Sequence, residues 1–139
     1  MNRISDKIGE IEKYLQELSE TIPVNIENYK GDFKARAACE RYFERIIEAI
    51  IDLAFFMIKE YRLKTPEEDR QAFDILEQEM IISDKLAEKM RDAKGMRNII
   101  AHEYGIIDDE MVFDSIKNEL VSDAEDFVKQ IKDFLRNKK

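Results

Sequence analysis

Residues 38–58 read ACERYFERIIEAIIDLAFFMI. Within them Ala38, Tyr42, Ile46, Ala49, Leu53, Phe56, Met57 and Ile58 recur mostly at intervals of three and four. That is the repeat of one face of an α-helix, not the every-second-residue repeat of a strand. The stretch holds neither glycine nor proline, so nothing interrupts a long helix. Either Asp32 or Asn28 is placed to start it, since both side chains accept hydrogen bonds from a first helical turn. Its most apolar part, Ala49–Ile58, is broken by Asp52 and falls short of the roughly 18 apolar residues of a membrane span.

The same period extends in both directions. Upstream, Ile4, Ile8, Ile11, Leu15 and Leu18 form a regular seam, predicting a first helix that ends near Pro23. Downstream, Thr65-Pro66-Glu67-Glu68 combines an N-cap threonine, a proline at the first helical position and a capping-box glutamate. It predicts a short, acidic third helix to about Met80. Ser83 caps a fourth helix with Leu86, Met90, Ala93, Met96 and Ile100 on one face and Gly105 as its stop. Asp108 caps the last helix, whose stripe is Val112, Phe113, Ile116, Leu120, Phe127, Ile131 and Phe134. Short connections between long helices favour antiparallel neighbours. The expectation is an all-α, up-and-down bundle of four to five helices forming one domain over residues 1–139. Gly95 interrupts the fourth helix at about 1 kcal/mol relative to alanine; it either admits a close neighbour or is a neutral blemish on a solvated turn.

Composition narrows the function classes. Only 4 glycines and 2 prolines occur in 139 residues, and 44% of the chain is hydrophobic, enough to bury a core. The single Cys39 cannot make an internal disulfide, which fits a reducing compartment. No secretory apolar run opens the sequence and no stretch suits a bilayer, so a cytoplasmic protein without a membrane is expected. The net charge of −8 argues against a surface that grips nucleic acid throughout. The charge is uneven, however. Lys85, Lys89, Arg91, Lys94 and Arg97 face only Glu88 and Asp92 between residues 85 and 102, whereas residues 108–126 hold eight acids against Lys117.

The chemistry concentrates in Arg97-Asn98-Ile99-Ile100-Ala101-His102-Glu103-Tyr104-Gly105, which contains the only histidine. Imidazole is the one side chain whose ordinary pKa lies near neutrality. Taken singly, each residue has a plainer reading: His102 as a helix-end packing residue, Arg97 as a surface ion-pair partner, Tyr104 as a half-buried packing ring. Together they suit phosphodiester chemistry. His102 can move protons to and from oxygen, and Arg97 offers a planar fork for phosphate oxygens. Asn98, four residues before His102, can orient the ring. Arg97 and His102 lie about 140° apart on an ideal helix, so the site depends on how the helix ends. Together these groups are enough for metal-independent RNA cleavage with no cofactor; no zinc-type ligand spacing and no glycine-rich phosphate loop occur, and a carboxylate-held Mg²⁺ site is the open alternative. One histidine per chain for two proton transfers suggests a two-fold homodimer that pairs the segments.

Arg97-x4-His102-x-Tyr104, at the end of a penultimate helix and followed by one long C-terminal helix, resembles the signature of HEPN-domain ribonucleases, specifically the HepT toxin branch. The resemblance covers the whole chain as architecture and residues 97–105 in detail. It implies a two-fold dimer and an endoribonuclease toxin of a type VII-like toxin–antitoxin pair, with RNA as substrate and tRNA a candidate. Arg97 and His102 take the catalytic positions and Asn98 a supporting one. A minimal nucleotidyltransferase antitoxin, MntA-like, is the implied partner and AMPylates Tyr104; Mg²⁺ and ATP belong to that partner. The alternative is a non-catalytic helical subunit that helps a nucleotidyltransferase bind nucleotide or substrate.

Overall fold

The structure, a computed structural model, describes residues 2–102 and 108–138, most of them helical. The elements are α1 (Asn2–Thr21), α2 (Ile26–Gly31), α3 (Phe33–Glu60), α4 (Asp69–Gln78), α5 (Asp84–His102), α6 (Asp109–Ser115), a π-helical turn (Ile116–Leu120) and α7 (Val121–Asn137).

The long central stretch becomes the axis of the molecule. Asp32, not Asn28, starts α3: its carboxylate accepts from the Lys34 and Ala35 amides at 3.1 and 3.0 Å. Within α3, Ile46, Ala49, Leu53, Met57 and Ile58 are buried as expected, and Cys39, Phe43, Ile47, Ile50, Ile51 and Ala54 join them. Ala38, Tyr42 and Phe56 sit at the margin of this stripe. A helix buried over so much of its circumference must be covered on several sides, and α3 packs against α1, α2, α4, α5, the π turn and α7. Lys7 meets Asp52 at 3.4 Å and the Tyr42 hydroxyl donates to Glu17 at 3.1 Å, so α1 and α3 run antiparallel.

Ser83 and Asp108 cap as the sequence predicts, accepting from the Leu86 and Met111 amides at 3.1 and 3.2 Å. The predicted start at Thr65 is not observed. Helix α4 begins at Asp69, and the Gln71 side chain accepts from the Glu67 amide at 2.6 Å instead. Its buried residues, Ala72, Phe73, Ile75 and Leu76, begin only after that point. Packing therefore sets the start over the local signal. Two features were not foreseen: the six-residue α2, capped by Asn25 on the Asn28 amide at 2.8 Å, and the π turn that joins α6 to α7.

A Cβ added at Gly95 meets nothing within 4 Å, so no other described helix of this chain approaches closely there. Met80 is more telling. It closes α4 with φ 60°, and the Ile81 amide reaches the Leu76 carbonyl at 2.9 Å, the six-to-one bond of a Schellman ending. The side chain is 87% exposed and gains nothing that offsets the left-handed backbone. Met80→Gly should therefore stabilise the protein by about 0.5–1 kcal/mol, read as a rise in the midpoint of thermal or urea unfolding.

Candidate functional site

Helix α5 carries the segment. Its residues Leu86, Met90 and Ile100 are buried, with Ala93 and Met96 partly so, and they seat the helix on α3, α4 and α7. Ile100 is 5% exposed while its neighbour Ile99 is 45% exposed. The turn ahead of His102 is thus pinned on one side and open on the other.

The Arg97 side chain is largely buried. Its Nη2 donates to Glu48 Oε1 at 3.3 Å, its Nη1 donates to Asn98 Oδ1 at 3.2 Å, and its Nε is enclosed without a partner among the described residues. Asn98, expected to orient the imidazole, is engaged with Arg97. His102 is the last residue of α5, but its side chain lies outside the described residues, as do Tyr104 and the predicted stop at Gly105. The structure therefore joins Arg97 and Asn98 and adds Glu48, which the sequence did not single out.

Glu48 belongs to a polar row along α3, in which Arg36, Glu40, Glu44, Glu48 and Asp52 follow at four-residue spacing. Arg36 pairs with Asp109 at 3.6 Å, Glu44 with Arg41 at 3.3 Å and Asp52 with Lys7. Burial and the nearby Asp109 push the Glu40 carboxyl up from its ordinary range. Burial likewise pushes the Cys39 thiol up to about 11. It stays protonated at neutral pH and is no nucleophile.

Helix α6, which follows the segment in sequence, is held by α2 and the residues before it. Lys30 of α2 meets Glu110 at 2.7 Å, Lys117 donates to the Val24 carbonyl, and the Tyr29 and Phe113 rings lie 5.1 Å apart. Helix α2 thereby straps the start of α6 to the body of the protein. The basic patch expected on α5 is largely neutralised. Lys89 pairs with Asp123 at 3.5 Å, Arg91 with Asp74 and Glu77 at 2.7 and 3.3 Å, and Arg97 with Glu48. Among the described residues no group of three or more His, Cys, Asp or Glu is arranged to hold a metal ion. No described helix is long and apolar enough to cross a membrane.

Comparison with known proteins adds the deciding observation: the family described as Ribonuclease HepT-like matches residues 11–131. The chain belongs to the HepT-like ribonuclease family. Its HepT-like relatives include the mRNA nuclease HepT of Shewanella oneidensis, 26% identical over 129 residues, which span 93% of this chain and 96% of that protein. The tRNA nuclease HepT of Aphanizomenon flos-aquae is 26% identical over 113 residues, 81% of this chain and 77% of that one. The solved structure of the tri-AMPylated Shewanella oneidensis HEPN toxin in complex with MNT antitoxin is similar with a TM-score of 0.88 at 25% identity, covering 96% of this chain and 98% of that chain. The all-helical HepT-like architecture expected from the sequence is the one observed.

Proposed function

We propose that this chain is the toxin of a type VII-like toxin–antitoxin pair, a metal-independent endoribonuclease in which Arg97 and His102 are catalytic and Asn98 supports them. The observation that carries this reading is an Arg97 guanidinium held from two helices, five residues before the only imidazole, in a chain of the HepT-like ribonuclease family.

The reaction needs three things: a base for the ribose 2′-hydroxyl, charge stabilisation at phosphorus, and an acid for the leaving oxygen. His102 takes the 2′-proton as the 2′-oxygen attacks phosphorus. The 5′-oxygen leaves with a proton from a second imidazole, and a 2′,3′-cyclic phosphate and a 5′-hydroxyl end result. Arg97 donates to the phosphate oxygens, whose charge grows in the transition state. The second imidazole comes from a second copy, so the active form is a two-fold homodimer.

Control follows from Tyr104. Its hydroxyl attacks the α-phosphorus of ATP held by an MntA-like nucleotidyltransferase, pyrophosphate leaves, and AMP remains on the ring. The new phosphodiester places negative charge where an RNA phosphate would otherwise meet Arg97 and His102. The similar Shewanella oneidensis HEPN toxin, tri-AMPylated and in complex with MNT antitoxin, supports this reading.

Two measurements test it. The purified chain should cleave RNA in the presence of a chelator, with ends that carry a cyclic phosphate. Co-expression with the cognate nucleotidyltransferase should add AMP to the intact mass, and the adduct should vanish in Tyr104→Phe. No cleavage of mRNA or of a bulk tRNA pool, together with a tight complex with the nucleotidyltransferase, would instead mark a non-catalytic subunit that serves nucleotide or substrate binding.

A further inference from the structure

Arg97 is placed for phosphate by a residue on another helix. The guanidinium carries five N–H donors in a rigid plane. One goes to Glu48 Oε1 on α3 and one to Asn98 Oδ1 on α5 itself, at 3.3 and 3.2 Å. Among the described residues the Nε–H is enclosed and unpartnered, and two Nη hydrogens, one on each terminal nitrogen, have no partner; that is the pair a phosphate oxygen or two phosphate oxygens can take.

Asn98 alone cannot hold this arrangement. It neighbours Arg97 in sequence, so the two side chains leave the helix about 100° apart and a single bond between them leaves the guanidinium plane free to swing. Glu48 supplies a second anchor from outside α5. Its own helix is immobilised around it, since Ile47, Ala49, Ile50 and Ile51 are all buried. The anchor is needed because residues 97 and 102 project about 140° apart on a regular helix.

We infer that Glu48 is the positioning residue of the site, fixing the Arg97 guanidinium through its Nη2 so that the remaining Nη hydrogens meet the scissile phosphate; this rests on the catalytic reading of Arg97 given above. Glu48 acts as a hydrogen-bond acceptor more than as a charge. Its side chain is 43% exposed, where water screens much of the Coulomb attraction. An amide oxygen at the same place does the same work. Carboxylate removal therefore matters only when the acceptor goes with it.

The experiment uses the full-length protein and two readouts. In steady-state cleavage of a bulk tRNA pool and of a labelled mRNA, Glu48→Ala should lower kcat by about 10- to 100-fold, the cost of a misplaced catalytic group, with KM changed little. Glu48→Gln should recover the greater part of that loss. Nitrogen-15 NMR of the Arg97 side chain, assigned with Arg97→Lys, should show separate, slowly rotating Nη signals in the wild type and in Glu48→Gln. In Glu48→Ala those signals should be averaged. Wild-type kcat in Glu48→Ala, or averaged Nη signals already in the wild type, overturns the inference. A kcat loss that Glu48→Gln does not recover also overturns it, by showing that the charge is what matters. Undiminished cleavage by Arg97→Ala is a different failure: it removes the catalytic reading itself, while the NMR comparison still decides whether Glu48 fixes the guanidinium.

Discussion

His102→Ala is expected to lower RNA cleavage by about 10²–10⁴-fold, the usual contribution of a positioned general acid or base. The chain has no other imidazole to take over, and in the proposed two-fold site one substitution removes the base and the acid together. Arg97→Ala should lose about 10²–10³-fold, the loss seen when one donor to a developing oxyanion is deleted. Folding is not the confounder for Arg97→Ala. Arg97 is joined to a Glu48 that is 43% exposed, a pair of the kind worth at most about 1 kcal/mol. The measurement is single-turnover cleavage with chelator, and circular dichroism should report unchanged helicity. Activity within a few-fold of wild type in either variant would remove that residue from the mechanism.

Phe127→Ala should be the most damaging of the core truncations. The ring is fully buried and meets Phe73 edge-on at 6.2 Å and 88°. Its place on α7, opposite Phe73 of α4, makes it a junction between the C-terminal helix and the α3–α5 layer. Removing it deletes burial and leaves a cavity that helices with long buried neighbours cannot close, at about 3–5 kcal/mol. A domain of this size has about 5–15 kcal/mol in total, so the variant should lose roughly a fifth or more of its stability. Urea unfolding is the check: the midpoint should fall with the slope unchanged. Phe127→Leu, which keeps most of the volume, should cost less than half as much.

The fold was legible because helix is the only period the chain contains. With few glycines and prolines to interrupt it, each stripe maps onto a buried face, and Asp32, Ser83 and Asp108 mark starts that the structure repeats. Thr65-Pro66 misled because a good local start has no apolar residues behind it to hold the turn on the core; burial begins at Ala72. Helix α2 escaped because six residues are too few to show a period, although Asn25 three positions before Asn28 is a capping signal in plain view. The candidate site was half legible. Spacing singled out Arg97 and Asn98 as candidates, but Glu48 stands 49 positions from Arg97 and is one of several acids repeated every fourth residue along α3. Spacing places that row on one helix face; only the packing of α5 across α3 decides which carboxylate the guanidinium reaches.

The pairing of Lys89 with Asp123 and of Arg91 with Asp74 and Glu77 has a thermodynamic consequence for a ribonuclease of this kind. A strand that docks on free lysines and arginines releases one condensed counterion for nearly every phosphate neutralised, and its affinity falls steeply as salt rises. Cations already matched by carboxylates release few. With Lys89, Arg91 and Arg97 matched in this way, affinity for RNA should fall less steeply with salt than five free cations would give, and the choice of what is cut then rests more on the shape of the strand and on chemistry at one phosphate than on dwell time along the polyanion.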